Sequence, residues 1–323
     1  MKLDYRPGGA ALISAMALVL VVASLTVGVA WLGYQSISRT ENQRDVGQAR
    51  YLAQAMMDYA RWILASDLRG ELGGSAAMDH LSEPWSQPIP HTKLSSLMSS
   101  QMTEVDLRQF GQAAISGQIH DAQARFNLEM LWDSGALVPQ RVERLRSGLS
   151  ALGVGETAQS RLMEAAQLIY GQSQIDAQGR RRLPGAGTPS LWLHLSQEVL
   201  PSLGLEPADL ARLDAVLVWL PDRTSLNVNT TSSEALMLVT GGEGRALAEQ
   251  IVGQRDRIPF RSLAELTSFI PAGQIIETSL LDTRSQYFEA KGYAQFGRAE
   301  QGFAVLLRRE TGRVIVVDHM SQD

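Results

Sequence analysis

From Ala10 to Tyr34 the chain reads AALISAMALVLVVASLTVGVAWLGY, and no charged residue occurs between Arg6 and Arg39. As a helix rising about 1.5 Å per residue, this stretch reaches ~37 Å, enough to cross a hydrocarbon layer of about 30 Å. A cleavable secretory signal carries an apolar core of only about 7 to 15 residues. The run is too long for one. Lys2, Arg6 and the α-amino group outweigh Asp4, which places residues 1–9 in the cytoplasm and the body of the chain across the membrane. No turn follows the apolar run. Between Gln35 and Leu68 the residues Leu52, Ala55, Met56, Tyr59, Ile63 and Leu64 recur at helical spacing. The expectation is one long helix, lipid-embedded over 10–34 and amphipathic over 35–69, with Glu41, Arg44 and Asp45 in the aqueous stretch just outside the membrane.

The charged leader ends in Gly8-Gly9 directly before the apolar run. It resembles the cleavage site of type IV pilin-like precursors, which a prepilin peptidase cuts on the cytoplasmic side while retaining the hydrophobic segment. Cleavage is then expected between Gly9 and Ala10. A residue without Cβ there lets a protease approach the backbone closely. The alternative reading is an uncleaved signal anchor.

With 45% hydrophobic and 20% charged residues among 323, the chain is neither disordered nor a multi-span membrane protein, and its length has room for two domains. A net charge of −5 gives no basic footprint for general nucleic-acid binding. Zero cysteines exclude disulfides, thiolate nucleophiles and thiolate metal sites. His80, His91, His120, His194 and His319 are dispersed, with no H-E-x-x-H pair, and neither a G-x-S-x-G elbow nor a P-loop is present. No enzyme, cofactor or metal is expected. A triad assembled from distant residues is the remaining enzymatic alternative.

After Gly70 the chain becomes loop-rich, with Trp85 between prolines in SEPWSQPIP expected to pack as a plug. Ala113 to Ile119 reads as a strand. From about Val138 to Leu281 the pattern is mainly helical, with Val142, Leu145 and Leu149 as one stripe and Leu162, Ala165, Ala166 and Ile169 as another. Strands return at Tyr287 to Tyr293, Gly302 to Leu307 and Arg313 to Val317, the last two separated by a turn at Glu310-Thr311-Gly312. Three terminal strands alone make a marginal sheet. A sheet split by a helical insertion is expected, with the N-terminal helix packed on it.

The insertion carries SLNVNTTSSEAL from Ser225, the turn Gly241-Gly242-Glu243-Gly244, a helix through AEQIVGQR to Arg255, and IPFRSLAEL from Ile258. Thr231 with Glu234, and Ser262 with Glu265, fit capping boxes, and Pro259 breaks the helix before it. The unit over 225–270 resembles helix-hairpin-helix modules of the competence DNA-binding type. Its charges oppose phosphate contact, since Glu243 lies in the glycine turn, Glu249 follows, and Arg245 is the only basic residue between Arg223 and Arg255.

Taken together, the Gly-Gly leader, Asp121 to Leu131 (DAQARFNLEML), Leu226 to Thr231 (LNVNTT) and Ser285 to Phe288 (SQYF) resemble the large minor pseudopilins called the GspK family, type II secretion system protein K. The comparable family segments are D-x-x-G-R-F-N-L-N-x-L, V-N-V-N-T-A and S-x-Y-F. The resemblance implies an α+β, type IV pilin-like fold, a long N-terminal helix plus antiparallel sheet, interrupted by a large α-helical domain of helix-hairpin-helix or SAM-like character. The implied parts are a leader (1–9), a transmembrane and bundle helix (10–34), its amphipathic continuation (35–69), the first part of the pilin-like module (70–128), the helical insertion (129–284) and the final strands (285–323). It implies an N-methylated Ala10 and a place at the tip of a periplasmic pseudopilus, helping to start its assembly for export of folded proteins. The body is periplasmic and the anchor a single pass of the bacterial inner membrane. Implied partners are other minor pseudopilins, the major pseudopilin, the inner-membrane secretion platform, the prepilin peptidase, and secreted substrates or the outer-membrane secretin. A membrane-anchored DNA-binding protein of an uptake pilus is the alternative.

Ser14 occupies the fifth mature position, where pilin-like subunits resemble one another in carrying a Glu that neutralises a neighbour's N-terminal ammonium. A subunit with no neighbour above it needs no such carboxylate. Ser24 and Gly28 form a small-xxx-small pair suited to close helix approach. Members of the family often carry an acidic stretch suited to a divalent cation. Here Leu168 to Arg182 holds Asp176 as its one carboxylate beside Arg180, Arg181 and Arg182, far short of the six to eight oxygens calcium takes. The arginines read as a solvated loop, or as a contact for an acidic partner. Removing residues 1–9 leaves 27 basic and 33 acidic side chains, a net −6.

Overall fold

The computed structural model describes residues 8–71, 78–97, 110–171, 174–175, 181–182, 202–274 and 276–322. A single helix, α1, runs Gly8–Leu68 over 61 residues. No proline interrupts it after Pro7. It stops at a Schellman turn, in which Gly70 at φ 70° donates to Asp67 O and Glu71 donates to Ser66 O.

Five antiparallel strands form one sheet: β1 (Ile89–Lys93), β2 (Ala113–Asp121), β3 (Tyr287–Phe296), β4 (Ala299–Glu310) and β5 (Arg313–Gln322), in that spatial order. The expected strands are present and longer than their apolar centres indicated. Strand β1 lies in the segment whose prolines indicate loop; its Pro90 and exposed residues fit an edge, where a missing ladder donor is tolerated. Neighbours β2 and β3 are separated in sequence by residues 122–286. Their register pairs Asp121 with Phe288, so the chain leaves the sheet and returns to it at the same end.

The C-terminal half of α1 covers one sheet face through Ala49, Ala53, Met56, Ala60, Ile63 and Leu64. Phe288, Phe296, Phe303, Val305 and Leu307 meet it from the strands. Ala55 and Tyr59, expected on this stripe, point outward. The buried row advances by alternating steps of four and three, and its alanines bring the helix axis close enough for sheet aromatics to fill the gap. Each buried Ile or Leu here is worth about 1.5–3 kcal/mol. Trp85 is buried edge-on to Phe288 at 5.1 Å, as expected of a plug. On the opposite face Tyr287, Ala304 and Leu306 join the core of the helical part.

That part contains α2 (Pro139–Ala151), α3 (Glu156–Ala166), α4 (Pro207–Val216), α5 (Ser233–Thr240), α6 (Arg245–Arg255) and α7 (Leu263–Phe269). Leu145, Leu149, Leu162 and Ala166 form the buried stripes the periodicity predicted. One capping assignment is corrected. Ser232, not Thr231, caps α5 by accepting from Ala235 N, while buried Thr231 donates to Ala124 O and Glu234 stays at the surface. Two hydroxyls compete for one cap, and the one not claimed by the neighbouring segment takes it. Ser262 caps α7 as expected, although Glu265 accepts from Arg261 N rather than from the cap residue itself.

Gly117 and Gly292 face each other across β2 and β3. A Cβ on Gly292 would lie 2.2 Å from Ser116 O and 2.8 Å from Gly117 Cα, both backbone atoms of the adjacent strand. Gly292→Ala is therefore expected to lower stability by about 1–3 kcal/mol in urea unfolding of the whole chain. Gly28→Ala, with nothing within 4 Å, serves as the control and should cost nothing.

Candidate functional site

Two regions gather the residues singled out by sequence. The first is the apolar half of α1. Ile13–Leu32 has a mean hydropathy of 2.4 and no part buried against the rest of the chain. Gly9 and Ala10 lie in the first turn of α1, and Ser14 faces outward. Ser24 Oγ donates to Leu20 O at 2.7 Å and Thr26 Oγ1 to Val22 O at 2.8 Å. Both hydroxyls are thereby satisfied within the helix, as an apolar surrounding requires. One turn from Ser24, Gly28 leaves its side of the helix open.

The second region is the neck of the insertion, where the three sequence segments meet. Asp121 ends β2, and its Oδ2 accepts from Ser285 Oγ (2.6 Å), Thr230 Oγ1 (2.5 Å) and Asn227 Nδ2 (3.1 Å). Its Oδ1 accepts from Gln123 N at 2.8 Å. Asn227 also donates to Asp79 O and Ser285 Oγ, and its Oδ1 accepts from Asn229 N. Gln123 Oε1 accepts from the amides of Gln286 and Tyr287, clamping the outgoing strand to the returning one. Asn127 does the same inside the insertion, accepting from Glu129 N and Leu220 N and donating to Asp222 O and Thr224 Oγ1. Asn229 and Phe260 exchange two bonds of 2.9 Å. Tyr287 and Arg308 both donate to Asp222.

Burial pushes the Asp121 carboxyl up to about 6, against the lowering effect of its hydroxyl donors. Glu289 on β3 behaves oppositely. Burial would raise it, but Arg125 and Lys291 outweigh burial and hold it at about 2. The buried side chains of Asp121, Gln123, Asn127, Asn227, Asn229, Thr230, Thr231 and Ser285 spend their polar atoms on the chain itself. The arrangement ties segments together, with the Ser285 and Thr230 hydroxyls buried against the Asp121 carboxylate.

Sequence reading passed over a further group. Asp67 at the end of α1, Asp79 and Glu83 place one carboxylate oxygen each within 4.8 Å of one another, all buried, and this is the one such group among the described residues. Arg309 of β4 pairs with both Asp67 and Asp79 and stacks 4.3 Å from the Phe288 ring. The signal was period two along β4, which puts Arg309 on the same inner face as Phe303, Val305 and Leu307. A guanidinium there demands buried carboxylates. For a metal the donor set is poor. Arg309, Ser285 N, His80 N and Trp85 Nε1 occupy most of the oxygens, leaving Asp67 Oδ1 and Glu83 Oε1 without a partner.

At the helix-hairpin-helix turn Gly242 packs against α2, while Glu243 is exposed. Gly242 N donates to Ser147 Oγ of α2, and a Cβ on Gly242 would fall 2.8 Å from Ala151 Cβ and from Ser147 O. The amide that a phosphate-binding hairpin would offer is committed to the neighbouring helix. Arg181 and Arg182 pair by backbone with Ile175 and Gln174; their side chains, Arg180 and His194 lie outside the described residues.

No protein-family model matches the chain. It is similar to "Type II secretion system protein K" of Pseudomonas aeruginosa, 28% identical over 96% of this chain and 91% of that protein. Its fold is shared with a chain in the crystal structure of the GspK-GspI-GspJ complex from the enterotoxigenic Escherichia coli type 2 secretion system, at a TM-score of 0.62 and 20% identity, covering 88% of this chain and 99% of that one. The pilin-like α+β architecture with its helical insertion is thus the expected one.

Replacing Asn227 by Ala leaves Asp121 and Ser285 short of a buried donor and the Asn229 amide short of an acceptor. The expected cost is about 2–4 kcal/mol of stability by urea unfolding, with the far-ultraviolet spectrum retained.

Proposed function

We propose that this protein is a minor pseudopilin of a type II protein secretion system, held in the bacterial inner membrane by the apolar half of α1 with its body in the periplasm. The observation that carries the reading is α1 itself. Half of one unbroken helix is docked on a sheet, while the other half is apolar and bare, which suits both storage in a bilayer and packing in a bundle of like helices. Similarity to protein K over nearly the full length supports the same component. The fold neighbour sits in a complex of GspK, GspI and GspJ, and partners of that kind are the ones this chain would meet.

The finer placement is at the tip of the pseudopilus, where the subunit caps the assembly and helps start it. Ser14 supports this: the polar residue at the fifth mature position carries no charge with which to neutralise an ammonium from a subunit above. Ser24 and Gly28 are the positions for close approach of a neighbouring helix. The role is structural, and the Gly242 amide committed to Ser147 beside the exposed Glu243 disfavours the DNA-uptake alternative.

Intact mass of the membrane-extracted protein is expected to show a species beginning at Ala10 with one added methyl group; an unprocessed Met1 form in peptidase-competent cells would sink the reading. Gly9→Val should block that processing. Ser14→Glu is expected to impair tip assembly and secretion of folded substrates, and unchanged secretion would remove the argument for the cap.

A further inference from the structure

The joint between the end of α1 and β4 is unbalanced in charge. Asp67, Asp79 and Glu83 are all buried, and one guanidinium, Arg309, pairs with the first two, while Glu83 has no cationic partner among the described residues. Two oxygens of this buried cluster, Asp67 Oδ1 and Glu83 Oε1, have no hydrogen-bond partner in the chain, and neither does Arg309 Nε. A buried anion left in this state is costly, and the cluster lowers its charge either by binding a cation or by taking up a proton. Only two unpartnered carboxylate oxygens remain, which are too few ligands for a divalent ion.

We propose that this cluster holds one proton, carried on Glu83, and acts as a pH-sensitive latch fastening the linker turn of Trp85 to the end of α1. Glu83 is the group best placed to keep it. Its Oε2 accepts from Trp85 Nε1 at 2.8 Å and from His80 N at 2.9 Å, so protonation at Oε1 leaves both bonds intact and supplies a donor for the carboxylates around it. Burial pushes Glu83 up to about 7, with Asp67 and Asp79 adding to the rise, and burial raises Asp67 as well.

The sign follows from the folded value lying above the unfolded one. The stabilising effect of the bound proton is complete below about 4.5 and is lost as pH rises through about 7, each unit in that window shifting the folding equilibrium by up to about tenfold. Facing groups titrate too. Asp121 of β2 has the same sign near 6, whereas burial lowers His80, which opposes the trend below its ordinary value. Comparing a variant with the parent at each pH cancels their shared contributions.

The test uses the full chain in detergent micelles, parent against Glu83→Gln, which keeps the acceptor for Trp85 and carries a permanent donor. The difference in melting temperature is expected to be small at pH 5.5 and to grow in favour of the variant up to pH 8, with a midpoint near 7. A difference independent of pH overturns the latch, as does a melting temperature raised by millimolar calcium and lowered by EDTA in the parent but not the variant, which would assign a cation instead. Should the variant fail to fold, amide exchange of residues 78–88 in the parent decides. Corrected for intrinsic rates, their protection is expected to fall several-fold from pH 6 to 8, and constant protection overturns the proposal.

Discussion

Everything beyond the sheet hangs on the carboxylate of Asp121. It closes β2 at the point where the chain departs for some 165 residues, and it is met there by Ser285 on the returning segment and by Asn227 and Thr230 from inside the insertion. A long insertion between two paired strands costs little loop entropy per added residue, but its two ends must be held in register. Short, charge-assisted bonds in a buried place provide that hold with little freedom for an alternative pairing. The same carboxylate would be expensive to bury alone, and so the donors around it cannot be exchanged singly.

That view explains why the sequence segments carrying the family resemblance are polar and yet buried. DAQARFN, LNVNTT and SQYF look like a binding site when read as strings of hydrogen-bonding residues. In three dimensions they are donors and acceptors for one another, and the surface they create is internal. The same holds for the helix-hairpin-helix turn, whose glycines serve close packing against α2.

The exposed chemistry lies elsewhere, along α1. A single helix carries two kinds of surface because nothing in its sequence breaks it, and the change from the bare to the docked half is made by composition alone: a predominantly apolar surface through Leu32, then a row of alanines on one side only. The body is docked through that row, so the helix and sheet behave as one piece. The carboxylates around Arg309 sit at the far end of this contact and join the last turn of α1 to the sheet.

Periodicity and charge made the anchor, the strands on both sides of the insertion and the main helical stripes legible, since these depend on local repetition of apolar residues. Lost to that reading were edge strand β1, whose proline disguises it, the outward turn of Ala55 and Tyr59, and the choice of Ser232 over Thr231 as a cap. The Asp67, Asp79, Glu83 and Arg309 cluster was equally silent, because its members come from three segments up to 242 residues apart. By itself, then, the sequence determined an N-terminal membrane-length helix, a split α+β body and no thiol chemistry. Tertiary structure alone decided which polar residues are buried and with whom, because the energy of a buried charge depends on neighbours that no local pattern specifies.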